Sequence, residues 1–341
     1  MTENQQPILV LGAGINGAAV ARELLLNGLS VCIVDMGDLA GGTTAYSSRL
    51  IHGGLRYLEY GEFSLVRESL RERERLLRLA PQFVRPQRFH IPVRGRLGGW
   101  TQAARRFFGR PRRGPVVSRG FWLVRTGLAL YDWIARGDDL PAASSGPLSS
   151  RLPTADTDQF RWVCSYSDAQ ILYPERLVVA LLEDARRLAE QRGLSFDVLT
   201  YHTAGRLGDE VHLSQGSNVT RSLKPSAIVN ATGAWVDQTL EKLAVQTSRL
   251  IGGTKGSHLL VDNAELAASL GGDAVYLEAS DGRPVFLLPF RGKTLIGTTD
   301  LPFEENPATA TASEDEISYL LAAANELLRH KIGTQDNRSS G

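Results

Sequence analysis

Apolar positions along the chain fall into two patterns, short continuous runs and stripes at helical spacing, and their alternation organises it. Ile8-Leu-Val-Leu11 is an apolar run of strand length bounded by Gly12. A helix is predicted from about Ile15 to Asn27, where Asn27-Gly28 stops it, and Leu29-Ser-Val-Cys-Ile-Val34 is a second buried strand. Residues 62–79 predict a helix with Val66, Leu70 and Leu77 inward, Glu74 and Arg78 as an i,i+4 pair, and Pro81 beyond its end. A further helix begins at Tyr173-Pro-Glu-Arg and runs to Arg192, with Pro174 in its first turn and Gly193 past its end. Short strands follow around 196–202, 211–213 and 228–231, and 274–278 pairs with 285–289 across Ser280-Asp-Gly-Arg283, with 295–299 continuing that sheet. Ser313 and Glu316 form a capping box for a last helix through His330. Residues 137–158, rich in Asp, Pro, Ser and Gly, read as a surface connection.

The glycines between the first strand and helix carry a specific meaning. In Gly12-Ala-Gly-Ile-Asn16-Gly17, the first glycine permits a tight turn, Gly14 lets the backbone approach a pyrophosphate, and Gly17 lets helix and strand pack closely. The helix aims its unpaired N–H groups and positive dipole end at the phosphates. Asp35, 23 residues after Gly12, ends the second strand where a carboxylate accepts hydrogen bonds from ribose hydroxyls and repels a 2′-phosphate. Strand, spacing, helix and acid agree on a dinucleotide site, either NAD or FAD.

Two further segments separate those cofactors. Gly41-Gly-Thr43-Thr44-Ala-Tyr-Ser-Ser48 is too rich in small hydroxyl residues for a helix; it suits a loop running along an extended cofactor, or a solvated turn. Far downstream, Ala227-Ile-Val-Asn-Ala231-Thr232-Gly233-Ala-Trp235 is a buried strand ending in Ala-Thr-Gly, as where two-domain flavoproteins return to the dinucleotide domain. Gly297-Thr-Thr-Asp300 closes a third apolar strand in the same way.

Taken with Leu50-Ile-His52-Gly53-Gly54-Leu-Arg56-Tyr57-Leu58, Arg71-Glu-Arg-Glu74, Lys255-Gly-Ser-His258 and Arg283-Pro-Val-Phe286, these segments recur in one order that resembles the FAD-dependent glycerol-3-phosphate dehydrogenases, within the D-amino-acid-oxidase-like flavoproteins. The resemblance covers about residues 7 to 330. It implies an α/β fold: a Rossmann-like FAD-binding domain with an interleaved substrate domain on a mostly antiparallel sheet. The boundaries expected are 1–85, 160–240 and 301–341 for the FAD-binding domain, and 86–159 with 241–300 for the substrate or cap domain.

The resemblance also implies the chemistry. Oxidation of sn-glycerol 3-phosphate to dihydroxyacetone phosphate sends a hydride from C2 to flavin N5 and the electrons on to a quinone or other acceptor. His258 is the candidate base, since imidazole accepts a proton near neutral pH. Arg56 is the candidate phosphate ligand, since a guanidinium fork grips phosphate oxygens bidentately. Tyr57, Lys255 and Arg283 are further substrate-site candidates. Contacts to FAD are expected from Gly12, Gly14, Asn16, Gly17, Asp35, Thr43, Thr44, Ser48, Leu50, His52, Gly53, Gly54, Ala231, Thr232, Gly233 and Asp300. No metal-ligand pattern is read.

Composition changes the picture in one place. Net charge is only +1 over 341 residues, yet residues 75–131 hold 13 arginines and no Asp, Glu or Lys. Within the basic, membrane-facing segment expected over 94–136, Trp100-Thr-Gln-Ala-Ala-Arg105-Arg106-Phe-Phe108 places its aromatics on one helical face, and a second amphipathic stretch runs from Phe121 to Ile134. Aromatics beside arginines suit a helix lying on anionic lipid, the alternative being an ordinary substrate-domain surface. No recognition module accompanies the charge, so nucleic acid is not expected. Cys32 and Cys164 are too few for a disulfide framework, Met-Thr-Glu-Asn-Gln-Gln-Pro lacks a secretory pattern, and no run of 18 uncharged apolar residues exists. The expected location is cytoplasmic, peripheral on the inner face of the cell membrane.

Two departures qualify the family reading. Members commonly carry Asp-Asp-Ala-Arg where this chain has Leu172-Tyr-Pro-Glu-Arg176, which leaves open another hydroxy or amino substrate. Members also continue past this point with Gly-x-Arg-Pro-Leu and a Gly-Gly-Lys-Thr-like loop, so the chain reads as a C-terminal truncation, with a catalytically silent flavin-binding fragment as the third reading.

Overall fold

The structure is a computed structural model that describes residues 6–107, 118–136 and 139–340. The chain forms two compact units, one of Met1–Arg49, Tyr173–Thr254 and Pro302–Thr309, the other of Leu50–Leu172, Lys255–Leu301 and Ala310–Gly341.

The first unit is built on a four-stranded parallel sheet in the order Ala227–Asn230, Ile8–Leu11, Val31–Val34, Phe196–Leu199. Successive strand residues face opposite sides, so Val10 and Ile33 meet one layer while Leu9, Leu11, Cys32 and Val34 meet another. Helices Ile15–Leu26 and Pro174–Arg192 cover the first side through Ala18, Ala21, Leu25, Val178, Leu182 and Ala185. The antiparallel sheet Thr203–Leu207, Glu210–Gln215, Asn218–Leu223 covers the second through Val211, Leu213 and Leu223. A parallel sheet buried on both faces requires unbroken apolar strands, which is the pattern read in the sequence.

The second unit is built on a nine-stranded sheet. Its order is Asn337–Ser340, His258–Val261, Lys293–Gly297, Pro284–Phe290, Ala274–Glu278, Val84–Val93, Trp162–Ile171, Leu50–Ile51, with Ser144–Pro147 also paired to Trp162–Ile171. Neighbours are antiparallel except Ala274–Glu278 against Val84–Val93. Alternate residues again serve two cores. Val163, Leu259, Leu277 and Leu287 pack with Leu320 and Leu327 of helix Glu314–Leu327; Phe89, Cys164 and Leu288 share the other core with Val66 and Leu70 of helix Phe63–Leu79 and Leu128 and Tyr131 of helix Phe121–Ile134. Burial pushes both thiols, Cys32 and Cys164, up to about 11, so neither is a reactive thiolate.

Three expectations change. Residues 137–158 are not merely a surface connection: Ser144–Pro147 is a strand, and Leu148, Leu152 and Ala155 are buried in the core beneath it. Their i, i+4, i+7 spacing is hidden by the Ser, Gly and Pro around them. Residues 50–85, 160–172 and 310–341, grouped from the sequence with the fingerprint domain, lie in the second unit, and 241–254 lies in the first. The cause is non-local, because Val84–Val93 and Trp162–Ile171 pair over ten positions and commit both segments to one sheet. On helix Phe63–Leu79 the exposed ion pair is Glu72 with Arg75 rather than Glu74 with Arg78.

Candidate flavin and substrate site

In the first unit the fingerprint folds into a cradle. Gly12 has φ +99°, and a β-carbon there would lie 2.5 Å from the Ala231 carbonyl oxygen; one on Gly17 would lie 1.8 Å from that of Gly12. Only glycines permit this approach of turn, helix and the returning Asn230-Ala-Thr-Gly segment, whose Ala231 N–H donates to the Leu11 carbonyl at 2.8 Å. No acidic residue sits in the first turn of helix Ile15–Leu26 and Gly14 supplies no side-chain cap, so the positive end of the helix dipole is not offset from within the helix.

Hydroxyl and carboxylate groups complete this cradle. Asp35 accepts from the Ala13 N–H at 2.7 Å and the Gly37 N–H at 2.8 Å through different oxygens, leaving lone pairs for ribose hydroxyls. Thr44 reaches over the helix start, its Oγ1 accepting from the Ile15 N–H at 3.2 Å, while Trp235 packs on Gly42. Asn16, Thr43 and Gly233 are exposed and Ser48 is half-buried. Thr232 donates its hydroxyl to Asn230 Oδ1 at 2.7 Å, which fixes the Ala-Thr-Gly turn. Arg49 ties the end of the 41–48 loop to Glu175 at 3.0 Å and to the Ala45 carbonyl at 2.9 Å. A glycine-lined turn, a helix N-terminus and a strand-end carboxylate are the donor and acceptor set that an FAD nucleotide requires, and the residues present fit it.

In the second unit the His52-Gly-Gly-Leu-Arg-Tyr57 loop rests on a buried polar cluster that the sequence reading missed. Gly53 donates its N–H to Asp168 Oδ1 at 3.1 Å, and a β-carbon on Gly53 would lie 2.2 Å from the Tyr131 hydroxyl. The same Asp168 oxygen accepts from Tyr131 at 2.8 Å and from Arg73, whose guanidinium also reaches the Ser167 carbonyl at 3.2 Å. Arg73, Tyr131 and Asp168 are each 1% exposed. Burial, and then the Asp168 charge, hold the Tyr131 hydroxyl well above its ordinary pKa, so it stays a donor. Above this base His52, Arg56 and Tyr57 are exposed, and Leu50 is half-buried in strand Leu50–Ile51. Arg119 bridges Glu59, on the short helical turn Leu55–Tyr60 that also carries Arg56 and Tyr57, to Glu278, at 2.6 Å for the latter.

His258 opens strand His258–Val261 opposite Gly297, and a β-carbon on Gly297 would lie 2.2 Å from its ring. Lys255 is held by Glu316 at 2.7 Å and by the Thr311 carbonyl at 2.7 Å. Arg283 pairs with Asp281 at 3.0 Å, reaches the Asp300 carbonyl at 3.3 Å and stacks on Tyr319; Asp300 itself is exposed. A Ser165–His90–Asp273 chain, with His90 at 2.8 and 3.0 Å from its neighbours, looks like a nucleophile relay, but His90 and Ser165 are each 2% exposed and no substrate could reach them.

Sequence alone carried a signal for two of the missed residues. Arg73 falls on the inward stripe of its helix after Val66 and Leu70, and Glu316 falls on that of Leu320, Ala323, Ala324 and Leu327. A charge on an apolar stripe needs a buried partner.

Helix Phe121–Ile134 buries Phe121, Leu128 and Tyr131 and exposes Trp122, Leu130 and Trp133, with Arg125 over Trp122 and Arg136 over Trp133. Trp100, on helix Trp100–Phe107, is exposed too. The side chains of Arg105, Arg106 and Phe107, and all of Phe108, lie outside the described residues. Among the described residues no helix is long and apolar enough to cross a membrane.

A glycine-built nucleotide cradle in one unit and a mostly antiparallel sheet in the other define a two-part flavoprotein of the α/β class. The FAD dependent oxidoreductase family model matches residues 7–341, and the chain belongs to that family, with FAD as its cofactor. It is 36% identical to a glycerol-3-phosphate dehydrogenase of Synechocystis sp., covering 94% of this chain and 57% of the relative. It is 35% identical to a D-erythritol 1-phosphate dehydrogenase of Brucella abortus, covering 96% of this chain and 61% of the relative. The fold matches the glycerol-3-phosphate dehydrogenase of Bacillus halodurans complexed with FAD at a TM-score of 0.67 and 24% identity, over 100% of this chain and 56% of that one. The chain thus spans about three fifths of the length of these curated relatives.

Proposed function

We propose that the protein oxidises sn-glycerol 3-phosphate to dihydroxyacetone phosphate. The observation that carries this reading is 36% identity to a glycerol-3-phosphate dehydrogenase across 94% of the chain. FAD, when bound, supplies the two-electron acceptor for the C2 hydride. Gly12, Gly14, Asn16 and Gly17 line the phosphate turn, Asp35 takes the ribose hydroxyls, and Thr43, Thr44, Ser48, Leu50, His52, Gly53, Gly54, Ala231, Thr232, Gly233 and Asp300 complete the cofactor contacts. His258 accepts the C2 hydroxyl proton. Arg56 holds the substrate phosphate, and its exposure above a pinned backbone supports that role, because a guanidinium fork on a fixed loop binds phosphate with little ordering cost. Tyr57, Lys255 and Arg283 complete the substrate contacts.

A second substrate has a specific observation behind it. The D-erythritol 1-phosphate dehydrogenase relative is nearly as similar, and Leu172-Tyr-Pro-Glu-Arg176 departs from the common pattern, so a longer polyol phosphate is the alternative. Electrons pass to a quinone at an anionic membrane surface on the inner face of the cell membrane; the exposed Trp122, Leu130 and Trp133 beside Arg125 and Arg136 support that part.

Anaerobic titration of the flavin-loaded 341-residue chain with glycerol 3-phosphate tests the reaction. Bleaching of the flavin absorbance is expected; bleaching by erythritol phosphate alone would select the second substrate. Replacing Arg56 with Ala should weaken binding of the phosphate substrate by about 2 kcal/mol, the loss of one charge-assisted contact, and an unchanged affinity would remove Arg56 from the phosphate site. Charge reversal at Arg105 and Arg106 should release the protein from anionic vesicles in a sedimentation assay.

A further inference from the structure

We propose that Glu316 is a positioning residue for His258: its buried carboxylate locks the Lys255-Gly-Ser257 turn from which the His258 side chain departs. This rests on the reading of His258 as the base.

A glutamate in a capping box ordinarily has one task, to reach back to the N-cap at a helix start. Glu316 performs it with one oxygen and something else with the other. Oε2 accepts from the Ser313 N–H at 3.0 Å, the Ser313 hydroxyl at 3.1 Å and Lys255 Nζ at 2.7 Å. Oε1 accepts from the Ser257 hydroxyl at 2.9 Å and the Thr299 hydroxyl at 2.7 Å. The side chain is 2% exposed, and burying a carboxylate is costly unless its lone pairs are filled, which these five donors accomplish. Burial works to raise the Glu316 pKa, but the hydrogen bond from Lys255, with those from Ser313, Thr299 and Ser257, outweighs it and holds the group at about 2. The carboxylate is therefore charged wherever the protein works.

Ser257 is gripped at every polar atom. Its N–H donates to Thr299 Oγ1 at 2.8 Å, its carbonyl accepts from the Thr299 N–H at 3.3 Å, and its hydroxyl reaches Glu316. Thr299 thus lies between Ser257 and Glu316, joining the 255–258 turn to the 297–300 turn. The next residue after this fixed peptide is His258, whose ring then lies against Gly297 of the second turn. A cap needs Ser313 alone; the Ser257, Thr299 and Lys255 contacts have no capping purpose, and all three converge on the turn that carries the base. On this account Lys255 also ties the turn to Glu316.

The test uses the flavin-loaded protein and the variants Glu316→Gln, Ser257→Ala, Thr299→Val and His258→Asn. Glu316→Gln should retain flavin absorbance, lower kcat for glycerol 3-phosphate at least tenfold, and change KM less than twofold. The pH limb of kcat governed by the base should move to lower pH, because Lys255 loses its counter-charge three residues from His258 and a nearby cation disfavours imidazolium. Independently of turnover, amide hydrogen exchange at 256–259 should accelerate. Ser257→Ala and Thr299→Val each remove one donor and should lower kcat about threefold at unchanged KM, which keeps the question answerable if Glu316→Gln does not fold. Parent kcat and an unmoved pH limb in Glu316→Gln, or parent kcat in both single-donor variants, would overturn the positioning role when His258→Asn is inactive. Parent turnover in His258→Asn would instead show that the base assignment itself is wrong, and the positioning role would fall with it.

Discussion

The two units hold their sites in opposite ways. In the first, the groups that shape the nucleotide cradle come mainly from one continuous stretch, Gly12 to Thr44, joined by the Ala231-Thr-Gly turn. Its constraint is steric, with glycine backbones too close for any β-carbon. In the second, the loops bearing Arg56 and His258 are each fixed by a buried carboxylate far away in sequence: Asp168 lies 115 positions from Gly53, and Glu316 lies 59 from Ser257. Its constraint is electrostatic and non-local. A steric site tolerates changes of charge around it and fails on one added methyl group, whereas an electrostatic site tolerates small changes of shape and fails when one charge is left alone.

The sharpest way to break this contrast is Asp168→Ala, which strands Arg73 at 2% side-chain exposure. Loss of one partner of a buried pair costs about 3–5 kcal/mol, so denaturant unfolding should show a loss of that size. A loss below about 1 kcal/mol, as for exposed pairs, would mean the cluster is not an electrostatic anchor. Acid is the second probe. Glu316 has a folded pKa of about 2 against 4.5 when free, so between those values the unfolded chain binds more protons. Its contribution is present above pH 4.5 and is lost as pH falls toward 2, about 3 kcal/mol over the window. An acid transition identical in the parent and in Glu316→Gln would contradict it. His90 titrates in the same sense at a higher range: burial holds its pKa below 6.5, so its contribution fades as pH drops below that value.

The steric side is tested by Gly17→Ala, whose methyl group meets a carbonyl oxygen at 1.8 Å. Overpacking of this kind costs about 1–3 kcal/mol. Flavin retention on dialysis should fall at least tenfold in this variant, and tight retention would mean the turn can relax. The smallest effect is expected at the exposed Glu72–Arg75 pair, where Arg75→Ala should change stability by less than about 0.5 kcal/mol in the same unfolding assay.

The contrast also explains what could be read early. The parallel strands Ile8–Leu11 and Val31–Val34, the helix after Pro174, the capping box at Ser313 and the hairpin around 280–283 all follow from patterns within about 20 residues. Leu148, Leu152 and Ala155 were hidden because turn-forming neighbours masked their spacing, although all three are buried. Arg73 and Glu316 were visible as charges on apolar stripes, yet nothing local names Asp168 or Ser257 as the partner.

By itself, then, the sequence determined the nucleotide cradle, because glycine spacing, strand length and the position of Asp35 are local consequences of backbone sterics and the 3.6-residue helical repeat. It also determined the family, through short motifs that keep their order. Only the tertiary structure decided that residues 50–85 join the second unit, because ten-position strand pairing with 162–171 is a long-range choice. The tertiary structure alone also decided how Arg56 and His258 are supported, because a buried charge is stable only where folding brings its partners within hydrogen-bond reach, and that distance is not encoded in any one segment.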